Sequence, residues 1–360
     1  IGGITAGGVT FARVREALAD VMASRKAQIL VVMETLEDLH YRLGELREVL
    51  QGLFNAAGVA SSRIRNRQPF ELRLCMPSEI WDQIHELSTN VEKDFGGEQL
   101  TIYWTASELV HLAATRYRLY LRTHHPDRYE HLVAKVGDER AAALLRAALP
   151  TTVTNGLGGT EDPVAYLLRH TQLLPRHLIE LLNRVFTAPV PGSTPWAVTE
   201  EAMLAGTRAA EELIVKGILA AHQTAYPFAT DALKRLANRL GVCFPANRLH
   251  AVFNQEGIAK ATGMSYRECE DMLVRMGILG LRVGTTHRYH VAQFQYTFAS
   301  NLNPRGGDDD LCFHPLFIRL LLDRSFDALR RSGERATYPF GCDIGEDDYR
   351  GSLGYRTGRR

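Results

Sequence analysis

The sequence lacks any clustering of cysteine. Its five cysteines are odd in number and show no CxxC spacing. They are Cys75, Cys243, Cys269, Cys312 and Cys342. Such a scatter favours a reducing, cytoplasmic setting over a disulfide framework or a cysteine-based zinc site.

Long hydrophobic runs and an excess of one charge are also missing. No apolar run approaches the roughly 20 residues that a membrane helix requires. The opening IGGITAGGVT has neither the charged start nor the apolar stretch of a signal peptide. The 42 Lys+Arg residues are balanced by 41 Asp+Glu, so composition gives no reason to expect strong non-specific attraction to nucleic acid or to an anionic membrane. We therefore expect a cytoplasmic protein without a membrane partner.

A lysine-bearing phosphate loop is absent as well. The segment from Gly3 to Thr10 resembles GxxxxGK[ST], but Val9 stands in place of the lysine. No strand precedes this segment, so we do not expect it to hold phosphate. Because the chain begins at Ile1 rather than at a methionine, we expect the natural chain to have residues before it.

The first third of the chain alternates between predicted helices and strands. Apolar spacing predicts helices over 11–24 and about 38–57. Strands are predicted over 28–33, 70–77 and 100–104. Thr105 and Glu108 then have the spacing of a capping box, which predicts a long helix to about Arg122. This order is typical of an α/β fold with a parallel sheet and crossover helices, which we expect over residues 1–128.

The remaining chain is predicted to be mainly helical. Residues 129–190 form the expected helical region, and 187–195 read as a linker rich in proline and small residues. A helical and winged-helix domain is predicted over 196–345, because 247–296 reads as short helix, turn, second helix and hairpin. Residues 346–360 are a basic, glycine-rich tail.

The strand ILVVM ends in a group of polar residues, Glu34, Thr35 and Glu37. A buried strand that ends in acids is how many nucleotide-hydrolysing folds hold Mg²⁺ and a water molecule at the carboxyl edge of the sheet. The pattern has a second interpretation. Acids also suit the first turn of a helix, where they interact favourably with the helix dipole.

Several stretches, taken in order, resemble bacterial P-loop ATPases of the KAP/STAND kind. They are VVMETLED, LRLCMPSEIW, IYWTASELVHLAATRYRL and YLLRHTQLLPRHLIELLN. The resemblance implies a partial P-loop NTPase of the AAA+/STAND-like type, with a parallel sheet, a helical lid and a C-terminal winged helix. It aligns Glu34 with the magnesium-site acid of a Walker B strand. It also aligns Pro175 and Arg176 with a lid helix near the nucleotide.

The resemblance implies a regulatory switch that uses ATP and Mg²⁺. Glu34 and Glu37 would be catalytic, Glu34 would hold the metal, and Thr35, Pro175 and Arg176 would contact the nucleotide. It further implies prokaryotic regulatory or antiphage-defence work, with an effector protein or self-assembly into a homo-oligomer. Glu34 departs from the usual aspartate, so a second hypothesis is a scaffold subunit whose nucleotide site has degenerated and which acts through protein contacts.

The basic residues near Pro175 have more than one interpretation. Arg176 is either a sensor of the γ-phosphate or a surface arginine in a first helical turn after a proline. Arg169 and His170, close by, are expected on a solvated face.

The predicted winged helix offers Arg267, Arg275, Arg282 and Arg288 as nucleic-acid contacts, which makes a DNA-binding regulator the third hypothesis. Acids outnumber bases in its second helix, which favours packing or protein contact instead. The histidine-rich HHPDRYEH and the acidic DDDLCFHP match no metal motif. They are expected to be a capped helix start and a polar loop leading into a helix at Pro315.

Overall fold

The computed structural model describes the second two thirds of the chain almost continuously and the first third in short pieces. The described ranges are 29–34, 70–75, 102–137, 141–223, 225–294, 309–322, 326–331 and 333–342, with scattered positions between 13 and 53. The chain divides into two compact units, Ile1–Thr101 and Ile102–Arg360. The architecture is mixed α/β. The finer division at residues 128, 190 and 345 stays a prediction.

The first unit contains a pair of parallel strands. β1 (Ile29–Met33) pairs with β2 (Phe70–Leu74), and the register runs from Ile29 opposite Phe70 to Met33 opposite Leu74. Both predicted strands are therefore confirmed, and they are parallel. Along the predicted helices 11–24 and 38–57, the described positions are helical. The phosphate-loop-like segment from Gly3 to Thr10 and the basic tail lie outside the described residues.

One face of β1 is not buried as predicted. Leu30 is 57% exposed and Val32 is 49% exposed, whereas Val31 and Met33 are partly buried. Side chains alternate between the two faces of a strand, so the exposed pair shares one face. A continuous apolar run predicts a strand correctly here, but it does not determine that both faces are covered.

The described residues of the second unit contain twelve helices. They are α1 (Ala106–His124), α2 (Pro126–Val136), α3 (Ala141–Ala148), α4 (Pro163–Arg169), α5 (Pro175–Phe186), α6 (Glu200–His222), α7 (Ala229–Leu236), α8 (Ala246–Gln255), α9 (Ile258–Thr262), α10 (Tyr266–Arg275), α11 (Pro315–Leu322) and α12 (Phe326–Arg331). The predicted capping box of Thr105 and Glu108 is present at the start of α1. Over the described stretches, no helix combines the length and hydropathy needed to cross a membrane.

The strand predicted over 100–104 is wrong for its described part. Ile102, Tyr103 and Trp104 have no regular secondary structure, and their exposed fractions are 80%, 61% and 36%. These residue types have high strand propensity, but a strand also needs a neighbouring strand to pair with. The segment instead leads directly into Thr105, whose extended backbone forms the N-cap of α1.

Five short strands form a mixed sheet in the second unit. They are β5 (Cys243–Pro245), β6 (Leu279–Thr285), β7 (Tyr289–Gln293), β8 (Asp310–Phe313) and β9 (Ala336–Pro339). The order is β5-β8-β6-β7-β9. All neighbours are antiparallel except β7 and β9, which are parallel. A separate antiparallel hairpin pairs the two-residue strands β3 (Val153–Thr154) and β4 (Thr160–Glu161).

The helix-turn-helix and hairpin predicted within 247–296 are present as elements. They correspond to α9, α10 and the antiparallel pair of β6 and β7. The winged-helix assignment itself stays a prediction. The strands β3, β4, β5, β8 and β9 are not predicted from the sequence, because each has at most four residues and such short strands carry almost no periodic signal.

The core of the second unit depends on a close approach between α5 and α6. A Cβ atom added to Gly206 of α6 would lie 2.5 Å from Val185 Cα and 2.6 Å from Val185 N of α5. Atoms this close overlap, and the neighbour is backbone rather than a flexible side chain. Glycine is therefore required at position 206 because the two helix backbones nearly touch.

We expect Gly206→Ala to lower the free energy of unfolding by about 1–3 kcal/mol, because the added methyl group forces α5 and α6 apart. Gly217→Ala on the same helix is the matched control, since nothing lies within 4 Å of its added Cβ. That control should raise stability by up to about 1 kcal/mol through helix propensity. Urea unfolding of both variants measures the difference. Equal effects would mean that the close approach is absent.

Candidate functional site

Glu34 lies at the carboxyl edge of the parallel pair. It directly follows β1 and is exposed. The neighbouring strand ends beside it, because the Cys75 backbone N–H donates to Met33 O at 2.9 Å. Thr35 and Glu37 lie outside the described residues. No group of three or more His, Cys, Asp or Glu side chains within the described ranges is arranged to hold a metal ion, so the Mg²⁺ role of Glu34 stays a prediction.

Pro175 and Arg176 form the first turn of α5. Pro175 is at the first helical position, and Leu174 before it makes no capping hydrogen bond with its side chain. The Arg176 side chain is exposed. Glu34 belongs to the first unit and Arg176 to the second, so the prediction that both contact one nucleotide stays a prediction.

The segment between α4 and α5 is buried, contrary to expectation. Arg169 and His170 were predicted on a solvated face, but their exposed fractions are 6% and 5%. Thr171 is fully buried, and Gln172 and His177 are 9% and 4% exposed. We call residues 169–174, between the end of α4 and the start of α5, the buried polar turn. The prediction was wrong because all seven residues of α4, Arg169 included, are buried, so this helix has no solvated face, and His170 lies beyond its end.

A bidentate ion pair between Arg169 and Glu161 lies at the start of the buried polar turn. Arg169 Nε lies 2.7 Å from Glu161 Oε2, and its Nη2 lies 3.0 Å from Glu161 Oε1. Tyr338 Oη and Asn155 Nδ2 also donate hydrogen bonds to this carboxylate. The guanidinium carbon lies 4.9 Å from the ring centre of Tyr166 and 5.6 Å from that of Tyr338. The buried charges are thus neutralised and hydrogen-bonded, as burial requires.

The partners of Glu161 determine its protonation state. Burial alone would raise the pKa of the Glu161 carboxyl, but the Arg169 charge and the hydrogen bonds of Tyr338 and Asn155 hold that pKa below its usual range. Glu161 is therefore ionised at neutral pH. The Glu161 carboxylate thus connects the β3–β4 hairpin to α4 and to β9. Its partner Tyr338 is 177 residues away in the chain.

A second cluster of polar side chains, formed by His170, Glu211 and Arg319, lies next to the pair of Arg169 and Glu161. His170 Nδ1 is 2.5 Å from Glu211 Oε1 of α6, and Glu211 Oε2 is 3.3 Å from Arg319 Nε of α11. Burial and the Arg169 charge lower the pKa of His170, and they outweigh the opposing effect of Glu211. His170 is therefore neutral at neutral pH, and the charge of Glu211 is balanced by Arg319.

The middle of the buried polar turn has a strained backbone. Leu173 has a φ of 51°, in the left-handed region that a leucine rarely adopts. Thr171 Oγ1 accepts from the Leu173 N–H at 3.1 Å and donates to Leu168 O at 2.8 Å. Gln172 Nε2 donates to Met276 O at 2.9 Å, directly after α10. These bonds fix the path of the chain into α5.

Arg169, Thr171 and Gln172 make hydrogen bonds to Glu161 or to nearby backbone, whereas the buried Nε2 atom of His170 has no hydrogen-bond partner among the described residues. A small recess between α1, α3, α4 and α5 is lined only by apolar side chains, among them Val110, Leu145 and Leu182, so it offers no polar group to a phosphate. The group that faces solvent next to the network is Arg176. Arg176 is therefore an exposed cation directly after a buried, hydrogen-bonded segment of the chain.

The four arginines proposed for nucleic acid are all at the surface. Arg282, however, forms an ion pair with Asp310. Arg288 Nε donates to the neighbouring His287 Nε2 at 3.0 Å. On α10, Glu268 and Glu270 add negative charge close to Arg267 and Arg275. The nucleic-acid role stays a prediction, and the pairing of Arg282 with Asp310 weakens it.

Sequence reasoning missed the acids and the tyrosine of the two charged groups, Glu161, Glu211 and Tyr338. One local signal was available. The polar run RHTQ lies between the apolar runs YLL and LLP, and polar residues inside such an apolar context become buried when distant partners satisfy them. Those partners are far away in the chain and could not be identified without the structure.

Comparison with protein-family models, with curated proteins and with solved structures finds no match to the chain. The functional assignment therefore depends on the residue patterns of the sequence and on the geometry described above. Within that geometry, the two groups that the sequence places at a nucleotide and the structure shows exposed are Glu34 and Arg176.

We expect Arg169→Met to lower the free energy of unfolding by about 3–5 kcal/mol, because it leaves the Glu161 carboxylate buried without its charge partner. The matched control is Arg184→Met, which breaks an exposed ion pair with Glu180 and should cost less than about 1 kcal/mol. Adding Glu161→Gln to Arg169→Met should restore much of the loss. Denaturant unfolding of the four proteins tests this, and equal losses in the two single variants would contradict a buried ion pair.

We expect the protein to lose stability as the pH falls below about 6.5. Burial lowers the pKa of His170 and His314 and, with the Arg176 charge, brings the pKa of His177 to about 4. The unfolded chain binds protons first on acidification, so each histidine removes up to about 1.4 kcal/mol per pH unit in this window. Urea midpoints from pH 7.5 to 5 should fall, and less steeply for His177→Gln. A constant midpoint would contradict burial of neutral histidines.

Proposed function

We propose that the chain forms part of an ATP-dependent regulatory switch of the STAND/AAA+-like kind. In this proposal the first unit is the later part of a P-loop NTPase sheet. The helices that follow act as a lid, and α8 to β7 form a winged helix. The observation that carries the proposal is the start of α5, where exposed Arg176 follows Pro175 on a helix with no side-chain cap.

The start of α5 has the chemistry of a phosphate contact. The N-terminus of a helix carries partial positive charge, although in α5 Pro175 has no N–H and the His177 N–H already donates to Leu174 O at 3.0 Å. The guanidinium of Arg176 adds a full charge there and can stabilise the charge that develops in phosphoryl transfer. The resemblance of this segment to the lid helix of KAP/STAND ATPases supports the same role. The buried polar turn supplies the rigidity that a precise phosphate contact needs.

The first unit supports the other half of the proposal. In sheets of parallel strands, ligands bind beyond the carboxyl ends of the strands. Glu34 follows β1 at this edge, and a carboxylate oxygen is a suitable ligand for Mg²⁺. In the proposal Glu34 holds the metal and, with Glu37, positions the attacking water, while Thr35 contacts the nucleotide.

A physical route connects Arg176 to the proposed winged helix. The buried polar turn contacts the chain just after α10 through the bond between Gln172 and Met276. It contacts α6 through His170 and Glu211, and Glu211 in turn contacts α11 through Arg319. A nucleotide that repositions Arg176 would therefore bias these elements. An effector protein or a second copy of the chain would sense the change.

Two alternatives predict different outcomes. A scaffold subunit with a degenerate nucleotide site is favoured by one feature, the glutamate at position 34 in place of the usual aspartate. A DNA-binding regulator would use Arg282 and Arg288, and its duplex affinity would fall steeply with salt. The ion pair between Arg282 and Asp310 favours protein contact over DNA contact for this surface.

The proposal is tested by calorimetry of Mg·ATP binding to the full natural protein. We expect binding that is weakened at least tenfold by Arg176→Ala, because its guanidinium contacts phosphate, and weakened in a Mg²⁺-dependent way by Glu34→Ala. Arg184→Ala is the matched control, since Arg184 is an exposed arginine of the same helix that pairs with Glu180. It should leave binding unchanged.

If the folded protein binds no nucleotide, the hypothesis of an ATP-dependent switch is refuted, and the hypothesis of a scaffold subunit is favoured. Binding that is insensitive to Arg176→Ala would place the nucleotide away from α5. Binding that is equally weakened by Arg184→Ala would show that general positive charge on α5 accounts for the effect.

A further inference from the structure

Two cysteines far apart in the sequence face each other in the sheet of the second unit. Cys243 of β5 lies directly opposite Cys312 of β8 in the antiparallel register. Their sulfur atoms are 2.7 Å apart, and both residues are free thiols. The distance is well below an ordinary contact between two sulfur atoms, and it is within about 0.7 Å of a disulfide bond length.

The hydrogen-bond pattern of the strands permits a bond between these sulfurs. The Phe313 N–H donates to Val242 O, and the Ala246 N–H donates to Asp309 O. Pairs exchanging such bonds alternate with pairs that do not, so Cys243 and Cys312 form a non-hydrogen-bonded pair. At these positions the Cα atoms are about 4.5 Å apart and the side chains are closest, which is within the range that a disulfide spans.

We propose that Cys243 and Cys312 form a reversible dithiol–disulfide site that is oxidised by hydroperoxides. The Cys243 thiolate attacks one oxygen of the peroxide, so that an S–O bond forms, the O–O bond breaks and the other oxygen leaves as water or an alcohol. The Cys312 sulfur then attacks Cys243, so that the S–S bond forms and the S–O bond breaks. The hydroxyl group leaves as water with the thiol proton. Two electrons pass from the thiols to the peroxide.

The surroundings of the two sulfurs assign the two roles. The hydrogen bond donated by the Cys312 thiol and the nearby Arg282 charge lower the pKa of Cys243. That hydrogen bond and burial raise the pKa of Cys312. Cys243 is partly exposed, whereas Cys312 is fully buried. The attacking thiolate is therefore Cys243, and Cys312 resolves the intermediate.

The disulfide would tie together the two strands that flank the helix-turn-helix and hairpin. β5 leads directly into α8, and β8 pairs with both β5 and β6. In the reduced protein, β5 is a three-residue edge strand whose neighbour in the described sheet is β8. Oxidation would fix this edge covalently and raise the thermal stability of the second unit. The site does not depend on nucleotide.

The test uses the full chain in its wild-type form. Reduced protein is treated with hydrogen peroxide, then unfolded in denaturant and alkylated with a maleimide, so that the buried Cys312 is also reached, and finally digested and mapped by mass spectrometry. We expect Cys243 and Cys312 to lose reactivity together, a peptide pair joined by a disulfide between them, and complete reversal by dithiothreitol. The melting temperature should rise by several degrees on oxidation and return on reduction.

Cys75 is the internal control, because it is an exposed cysteine. In the Cys312→Ser variant, oxidation should stop at a Cys243 sulfenic acid that dimedone traps. The proposal is overturned if Cys243 and Cys312 of the wild-type protein both still react with the maleimide after a peroxide treatment that fully oxidises Cys75. It is also overturned if Cys243 is oxidised without pairing with Cys312. Both results are read from the wild-type chain, so they do not require the variant to fold.

Discussion

The buried ion pair between Glu161 and Arg169 is the constraint on which the described second unit depends. A charge in an apolar interior costs several kcal/mol unless its partner and its hydrogen bonds are in place. The carboxylate therefore requires Arg169, Tyr338 and Asn155 at the same time. These residues come from the β3–β4 hairpin, from α4 and from β9. The requirement links the packing of the helical part to the position of β9 in the sheet.

The same pair determines the direction in which α5 starts. With Arg169 held at the end of α4, the chain must turn within a few buried residues, and it does so through the left-handed Leu173. Such a backbone costs about 1–2 kcal/mol and persists because the hydrogen bonds of the two preceding residues, Thr171 and Gln172, hold the chain in place. Strain held by surrounding contacts in this way is typical of functional segments. Here it places Arg176 at the surface on a helix that cannot easily shift, since Gly206 lets α6 pack directly against α5.

The sequence predicts the local part of this arrangement and misses the distant part. The capping box at Thr105, the start of α5 at Pro175 and the helix at Pro315 follow from residues within one helical turn. The strands β1 and β2 follow from one apolar run and one segment of alternating apolar and polar residues. By contrast, burial of the RHTQ run depends on partners as distant as Glu211 and Tyr338. Periodicity carries no information on those partners, so the solvated face predicted for Arg169 was wrong. The strand expected at 100–104 failed for the related reason that propensity does not provide a pairing partner.

Arg282 shows how structure decides between roles that the sequence leaves open. On the sequence alone it is a basic residue of a hairpin, and a contact to DNA is one reasonable interpretation. In the structure its guanidinium pairs with Asp310 of β8, and its charge also lowers the pKa of Cys243 across the sheet. A charge that is balanced by a neighbouring carboxylate attracts phosphate less, because binding DNA would first require that pair to separate. The charge therefore acts within the sheet, where it connects β6 to β8 and favours the thiolate of the cysteine pair. For this surface, a role in holding and regulating the sheet explains more of the observed contacts than a role in reading nucleic acid.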